Sequence, residues 1–264
     1  MLMYPDINPV ALSLGPVQVH WYGLMYLIGF LGGWWLGRVQ AARPNSGWQV
    51  AEISDLLFYV ALGVVLGGRV GYILFYNLPL FLEQPWVLFQ VWQGGMSFHG
   101  GLLGVLLAMW LYGRKTGRRF FVVTDFIAPL IPLGLGAGRI GNFINGELWG
   151  KPTDLPWGMV FPFVDELARH PSMLYEAILE GPVLLAMLWF FARRQPPVMA
   201  VSGMFLLGYG LFRFGVEFVR LPDAHIGYLA GDWLTMGHVL TLPMILFGLL
   251  LLGLAYRRRG EEKA

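Results

Sequence analysis

Two arginines interrupt apolar stretches of this sequence, Arg139 where one stretch ends and Arg213 about two thirds of the way along another. An arginine at a bilayer centre costs at least ~2.5–3.5 kcal/mol on insertion scales, so each must answer to a partner or a task. Arg139 opens the run GRIGNFINGELWG, Gly138 to Gly150, in which Asn142, Asn145 and Glu147 stand among glycines. A guanidinium forks onto phosphate oxygens, and amides with a carboxylate orient hydroxyl groups, so the run suits a phosphodiester that carries a polyol. Tyr209, Arg213 and Glu217 follow one another four residues apart and share a helix face, with Arg220 one turn further. His99 lies in GGMSFHGG, Gly94 to Gly101. Its imidazole, with an ordinary pKa near ~6.5, can exchange a proton, and the glycines let a backbone or ligand come close.

Each of these residues also has a plainer reading. Arg213 fits an intrahelical pair with Glu217, and Arg139 a helix-end side chain reaching toward the interface. His20, beside Trp21 and Tyr22, fits an anchor in an aromatic belt. His99 can simply bond a neighbouring carbonyl. Arg69, in LGGR, reads as half of a structural ion pair, and Asp125 is expected to face Arg118 or Arg119. The chain has no cysteine, which leaves no disulfide, no thiolate metal site and no thiol nucleophile of its own. Any sulfur chemistry belongs to a substrate. No metal-ligand pattern occurs in the sequence, and the chemistry requires neither metal nor cofactor.

Positioning such groups is a task for membrane helices. Of 264 residues 56% are hydrophobic and 13% charged, against the roughly 25% charged typical of soluble domains. Helices of about 20 mostly apolar residues span a bilayer, and hydropathy predicts seven of them. They cover His20 to Gly37, Leu56 to Phe75, Met96 to Tyr112, Val122 to Gly138, Ser172 to Phe191, Ala200 to Val219 and Gly237 to Tyr256. The predicted fold is an all-α polytopic membrane bundle, one integral membrane domain over residues 1–264. Its first span is read as retained, because Met1 to Val19 contains Asp6 and no Lys or Arg, unlike a cleaved signal peptide.

The cations set the orientation. Arg38, Arg43, Arg114, Lys115, Arg118, Arg119, Arg193, Arg194, Arg257, Arg258, Arg259 and Lys263 fall on one side of the seven-span plan, and only Lys151, Arg169 and Arg220 on the other. The positive-inside rule then puts the N-terminus outside, the C-terminus in the cytoplasm and the long connection at about 141–171 outside. A connection of that length is functional or disordered. His20, His99, Arg139 and Arg213 are predicted at one outer depth. With a net charge of +2 and the cations confined to loops, nothing marks a nucleic-acid surface.

The run from Gly138 to Gly150 closely resembles the signature of the bacterial prolipoprotein diacylglyceryl transferases. HWYG at His20 to Gly23, SFHGG ending at Gly101, and YGLFRFGVEFVR from Tyr209 to Arg220 extend the resemblance along nearly the whole chain. It implies an inner-membrane enzyme, its active site toward the periplasmic leaflet, that performs the first step of lipoprotein maturation. The diacylglyceryl group of phosphatidylglycerol passes to the lipobox cysteine thiol of a prolipoprotein signal peptide, giving a thioether and glycerol phosphate. The implied partners are therefore phosphatidylglycerol, that lipobox and the surrounding membrane lipids. On this resemblance Arg139 and Arg213 clamp the phosphate. The thiol, with a free pKa near ~8.5, loses its proton either to His99 or through the field of the arginines. His20, Tyr22, Asn142, Glu147, Tyr209, Glu217 and Arg220 orient headgroup or peptide, and Gly150 admits a close backbone approach. Two other classes stand beside this one. A transporter would use intramembrane charges as a pathway, yet no internal repeat is found; a lipid-binding protein would keep the arginines and turn over nothing.

Overall fold

A computed structural model of the chain describes residues 2–15, 17–222 and 226–261. Lys263, counted above among the cytoplasmic cations, lies outside the described residues. Three short strands, β1 (Leu2–Met3), β2 (Val10–Leu14) and β3 (Val17–His20), precede helix α1 (Trp21–Ala41). Helices α2 (Glu52–Tyr76), α3 (Leu78–Glu83) and α4 (Phe98–Thr116) follow. Next, α5 (Phe120–Ile127) leads through a tight turn containing Pro129 into α6 (Ile131–Ile144). After β4 (Met159–Val160) and β5 (Ala168–Arg169) come α7 (Ser172–Ile178) and α8 (Leu184–Ala192), then α9 (Ala200–Glu217) and α10 (Met236–Glu261).

Among the described residues four stretches are long and apolar enough to cross a membrane: Glu52–Tyr76, Phe120–Ile144, Ser172–Ala192 and Met236–Glu261. Several of their large side chains, Phe58, Phe75, Phe190, Leu246 and Phe247 among them, face outward. Such surfaces suit lipid, where helices associate through small residues and polar contacts rather than by hiding apolar area from water. The chain is a multi-pass membrane protein. Helices also occupy the other three predicted segments, as α1, α4 and α9, but these are less apolar; in α9, Arg213 and Glu217 offset the leucines and phenylalanines.

The helix-only prediction missed the strands. β2 and β3 form an antiparallel pair, so His20 ends a strand instead of starting a helix. Met159 and Val160 of β4 pair in parallel with Leu2 and Met3 and antiparallel with Arg169 and Ala168. The long connection is thus ordered around Met159, Phe161 and Met173, with Tyr4, Phe143 and Trp149 packed against them. The Tyr4 hydroxyl sits 2.9 and 2.8 Å from the carbonyls of Phe143 and Ile144 and satisfies the open end of α6.

The chain forms two compact units, one of Met1–Gly33 with Asp125–Ala264, the other of Trp34–Thr124. In the first, α6 packs on α7 and α9 on α10. Gly136 meets Gly181 so closely that an added Cβ would lie 2.9 Å from the facing Cα. Gly181 and Pro182 stand in a π turn, Leu179–Val183, between α7 and α8. Asp125 does not serve a cation here; its carboxylate accepts from Met199 N (2.7 Å), Ser202 N (2.8 Å) and Ser202 Oγ (2.5 Å). Free N–H groups at the start of α9 attract an anion and take the place of the expected arginines.

In the second unit α2 and α4 interlock through Gly63, Gly67, Gly71, Gly100 and Gly104. Ser97 caps α4 by accepting from Gly100 N at 3.2 Å, and His99 is exposed in the first turn. Arg118 pairs with Glu52 at 2.7 Å and lies 4.1 Å over the Trp48 ring. Arg69 proves structural, but not as an ion pair. Only 3% exposed, it donates to the carbonyls of Val87, Leu88, Gly94 and Gly95, gathering the segment between α3 and α4 around one guanidinium.

Candidate active site

Arg139 and Arg213, 74 positions apart, meet on buried glutamates that the sequence reading had not singled out. Glu176 in α7 and Glu180 in the π turn are both wholly buried. Arg139 Nε donates to Glu180 Oε2 at 3.2 Å and lies 2.9 Å from Glu176 Oε2. On its other oxygen, Glu176 Oε1 is 3.3 Å from Arg213 Nη1 and accepts from Arg220 Nη1 at 2.8 Å. Glu217 pairs with Arg213 and lies 3.5 Å from Arg220 Nε. Three arginines and three glutamates thus form one charge-balanced network. Balance is what makes burial tolerable, since an unpaired charge here would cost several kcal/mol.

Both plainer readings of the arginines proved too small. Arg213 does pair with Glu217 in its own helix, yet it also reaches Glu176 on another. Arg139 turns inward to two carboxylates. The glutamates carried a signal of their own: two acids four apart in an apolar stretch pose the same insertion cost as the arginines.

The Gly138–Gly150 run folds against this network. The helix ends at Ile144, and Gly146 takes a φ of +67°, as does Leu148 at +62°, a conformation rarely adopted by a side-chain-bearing residue. The turn brings Glu147 back so that Asn142 Nδ2 donates to Oε2 (2.9 Å) and Asn145 Nδ2 to Oε1 (3.1 Å). Asn142 is buried and Glu147 exposed, so a carboxylate held by two amides faces outward. Gly150 bridges to Arg220 and donates its N–H to the His170 carbonyl at 2.8 Å. A Cβ there would strike Val219 O and His170, so the close approach that needs glycine is made by this chain's own backbone.

Of the remaining predicted residues, Tyr22 lays its ring on Gly141 and has its hydroxyl 3.5 Å from that of Tyr26. Tyr22 lies in the field of Glu147 and Arg139, and Tyr209 in that of Glu180, Arg139 and Arg213. His20 is exposed at the end of β3. His99 belongs to the other unit. Beyond the helices, the Arg169 hydrogen bond holds the Asp165 carboxyl below the ordinary range, and burial holds His170 below its usual value.

The chain is similar to known proteins along nearly its whole length. The family model described as prolipoprotein diacylglyceryl transferase matches residues 9–254. A protein of Methylococcus capsulatus is 64% identical over 261 residues, covering 98% of this chain and 100% of its own length. One of Azotobacter vinelandii is 62% identical, covering 99% of each chain, and one of Pseudomonas aeruginosa 59% identical, covering 99% of this chain and 98% of its own. All three bear the name phosphatidylglycerol–prolipoprotein diacylglyceryl transferase. Matched by the family model over residues 9–254 and by relatives over nearly its whole length, the chain belongs to the prolipoprotein diacylglyceryl transferase family.

Proposed function

We propose that the family's reaction, transfer of the diacylglyceryl group of phosphatidylglycerol to a prolipoprotein cysteine in the first step of lipoprotein maturation, takes place at the Arg139–Arg213–Arg220 network. The observation that carries this reading is the convergence of three arginines on buried carboxylates beside the Asn142–Glu147–Asn145 turn. A thiolate attacks the glyceryl carbon, a carbon–sulfur bond forms, the carbon–oxygen bond to phosphate breaks, and glycerol phosphate leaves with the electron pair. What the protein must supply is alignment and stabilisation of charge on the departing phosphate.

Arginine suits that task because one contact fixes its plane and leaves other donors free. Among the described residues the hydrogen bond of Arg139 runs through Nε, so its four Nη hydrogens remain for phosphate oxygens. Arg213 is the second arm of the clamp. Because the glutamates already balance the arginines, the anionic donor adds net negative charge to a low-dielectric site, and relief comes when glycerol phosphate departs. Glu147 and the two asparagines suit the headgroup's hydroxyls, with Tyr22 near Glu147 and Tyr209 near Arg139 and Glu180. His20, Glu217, Arg220 and Gly150 keep their supporting places. His99 stays a candidate acceptor for the thiol proton on the chemistry of its imidazole, the field of the arginines being the other route.

In this reading the chain works as one integral membrane domain of seven crossings in the bacterial inner membrane, its N-terminus periplasmic, its C-terminus cytoplasmic and the 141–171 connection periplasmic. The acceptor is a signal-peptide lipobox, and membrane lipids surround the site. The test is mass spectrometry of a lipobox peptide incubated with purified protein and phosphatidylglycerol. A diacylglyceryl mass gain is expected with cysteine and not with serine, and should fall at least a hundredfold in Arg139→Ala or Arg213→Ala. Normal turnover in both variants would remove the clamp, and no adduct from folded parent protein would remove the reaction.

A further inference from the structure

Glu217 is held from a direction that the arginines do not explain. Its Oε2 faces Arg213 and Arg220, while Oε1 accepts a 2.6 Å hydrogen bond from Thr235 Oγ1. Thr235 stands just before α10, and its hydroxyl is also 3.1 Å from His238 Nδ1. All three residues are buried, His238 to 1% exposure. The imidazole is boxed by the rings of Phe214, Phe218 and Trp233, at centroid distances of 4.7, 4.6 and 5.8 Å. Gly237 completes the approach, because any Cβ there would occupy the Glu217 carboxylate.

Proton accounting gives the direction of this chain. An ionised Glu217, paired with two arginines, can only accept, so the single hydroxyl proton of Thr235 points at Oε1. The Thr235 oxygen is then an acceptor, and His238 must meet it with Nδ1–H. That tautomer leaves Nε2 as a bare lone pair, and Nε2 is indeed buried with no hydrogen-bond partner among the described residues. The 3.3 Å approach of Thr235 N to Nδ1 belongs to the opposite tautomer, which would set two lone pairs against each other at the hydroxyl.

We propose that Thr235 and His238 are positioning residues that fix the rotation of the Glu217 carboxylate and, through it, the aim of Arg213 and Arg220 in the transfer reaction. The proposal rests on the reading of the arginine network given above. Without the hydroxyl, Oε1 loses its donor and the carboxylate can turn about its own axis. The arginines then settle into a wider range of positions, which weakens the transition state more than the binding of the lipid.

The test measures kcat and KM for phosphatidylglycerol with the full-length protein and a lipobox peptide. Thr235→Val should lower kcat roughly tenfold with KM within about twofold, as expected for one lost hydrogen bond to a charged group, and Thr235→Ser should restore the parent rate. His238→Asn, whose amide can still donate to Thr235, should outperform His238→Phe. A parent-like Thr235→Val, or a Thr235→Ser as slow as the valine, would overturn the proposal. Should the valine variant not fold, the His238 pair decides, and equal rates in Asn and Phe overturn it. Arg213→Ala, run alongside, separates the two claims: normal turnover there sinks the site reading, whereas a slow Arg213→Ala beside a normal Thr235→Val sinks only the role of Thr235 and His238.

Discussion

Arg139 engages its glutamates at Nε, midway along a planar fork, and this geometry sets what can replace it. Lysine keeps the charge but concentrates it at one point, so it can satisfy Glu176 and Glu180 or a phosphate, not all three. We expect Arg139→Lys to resemble Arg139→Ala, with product formation down roughly a hundredfold or more, although the lysine variant should be the better folded of the two because its charge still balances the glutamates. Peptide mass spectrometry reads the first effect and thermal unfolding in detergent the second; a lysine variant near parent activity would mean that charge alone is needed. Spacing made part of this network legible beforehand. Tyr209, Arg213 and Glu217 lie on one continuous helix, where a period of four is enough to align them, and Arg220 follows just past its end. Glu176 and Glu180 are also four apart, but their meaning depends on Arg139, which arrives from another helix. Thr235 and His238, just before α10 and in its first turn, had no visible signal, since the Glu217 carboxylate that Thr235 meets belongs to another helix 18 residues earlier.

Helices carried a strong hydropathic signal and strands almost none. β1, β4 and β5 are two residues long, and β1 pairs with β4 from more than 150 positions away, a contact that no local pattern announces. The glycines, by contrast, acquire meaning only at the level of the helix pair. In α4, Gly100 and Gly104 face the backbone of α2, whereas a Cβ on Gly101 would meet Val64 O at an ordinary 3.6 Å. Gly104→Ala is therefore expected to destabilise the protein by about 1–3 kcal/mol, through overpacking against Gly63 and Gly67, while Gly101→Ala should be neutral or slightly stabilising as helix propensity rises. Thermal unfolding followed by tryptophan fluorescence compares them directly. Equal midpoints would show that α2 and α4 separate easily and that the glycines serve another purpose.

At the scale of the whole molecule the number and direction of bilayer crossings follow from where the charges lie. Among the described residues four stretches are apolar enough to cross by composition alone, and the less apolar α9 carries Arg213 and Glu217 of the network. A polar helix can still cross when its charges are neutralised by neighbours, which is the service Glu176 performs for Arg213 and Arg220. The seven-crossing plan then makes opposite demands on two sets of loop positions. Because the chain contains no cysteine, single cysteines can be placed without a background to remove. Asp154→Cys and Glu166→Cys, both on the connection that would be periplasmic, should react with a membrane-impermeant maleimide in intact cells. Lys115→Cys and Arg194→Cys should react only after the membrane is opened, following the excess of Lys and Arg in their loops. If Lys115 and Arg194 fell on opposite sides, the number of crossings between them would be odd rather than even, and either the Phe120–Ile144 or the Ser172–Ala192 stretch would have to be read as re-entrant. Labelling of all four from outside would be harder to reconcile, because it would leave the arginine network without the bilayer whose low dielectric gives its charge balance a purpose.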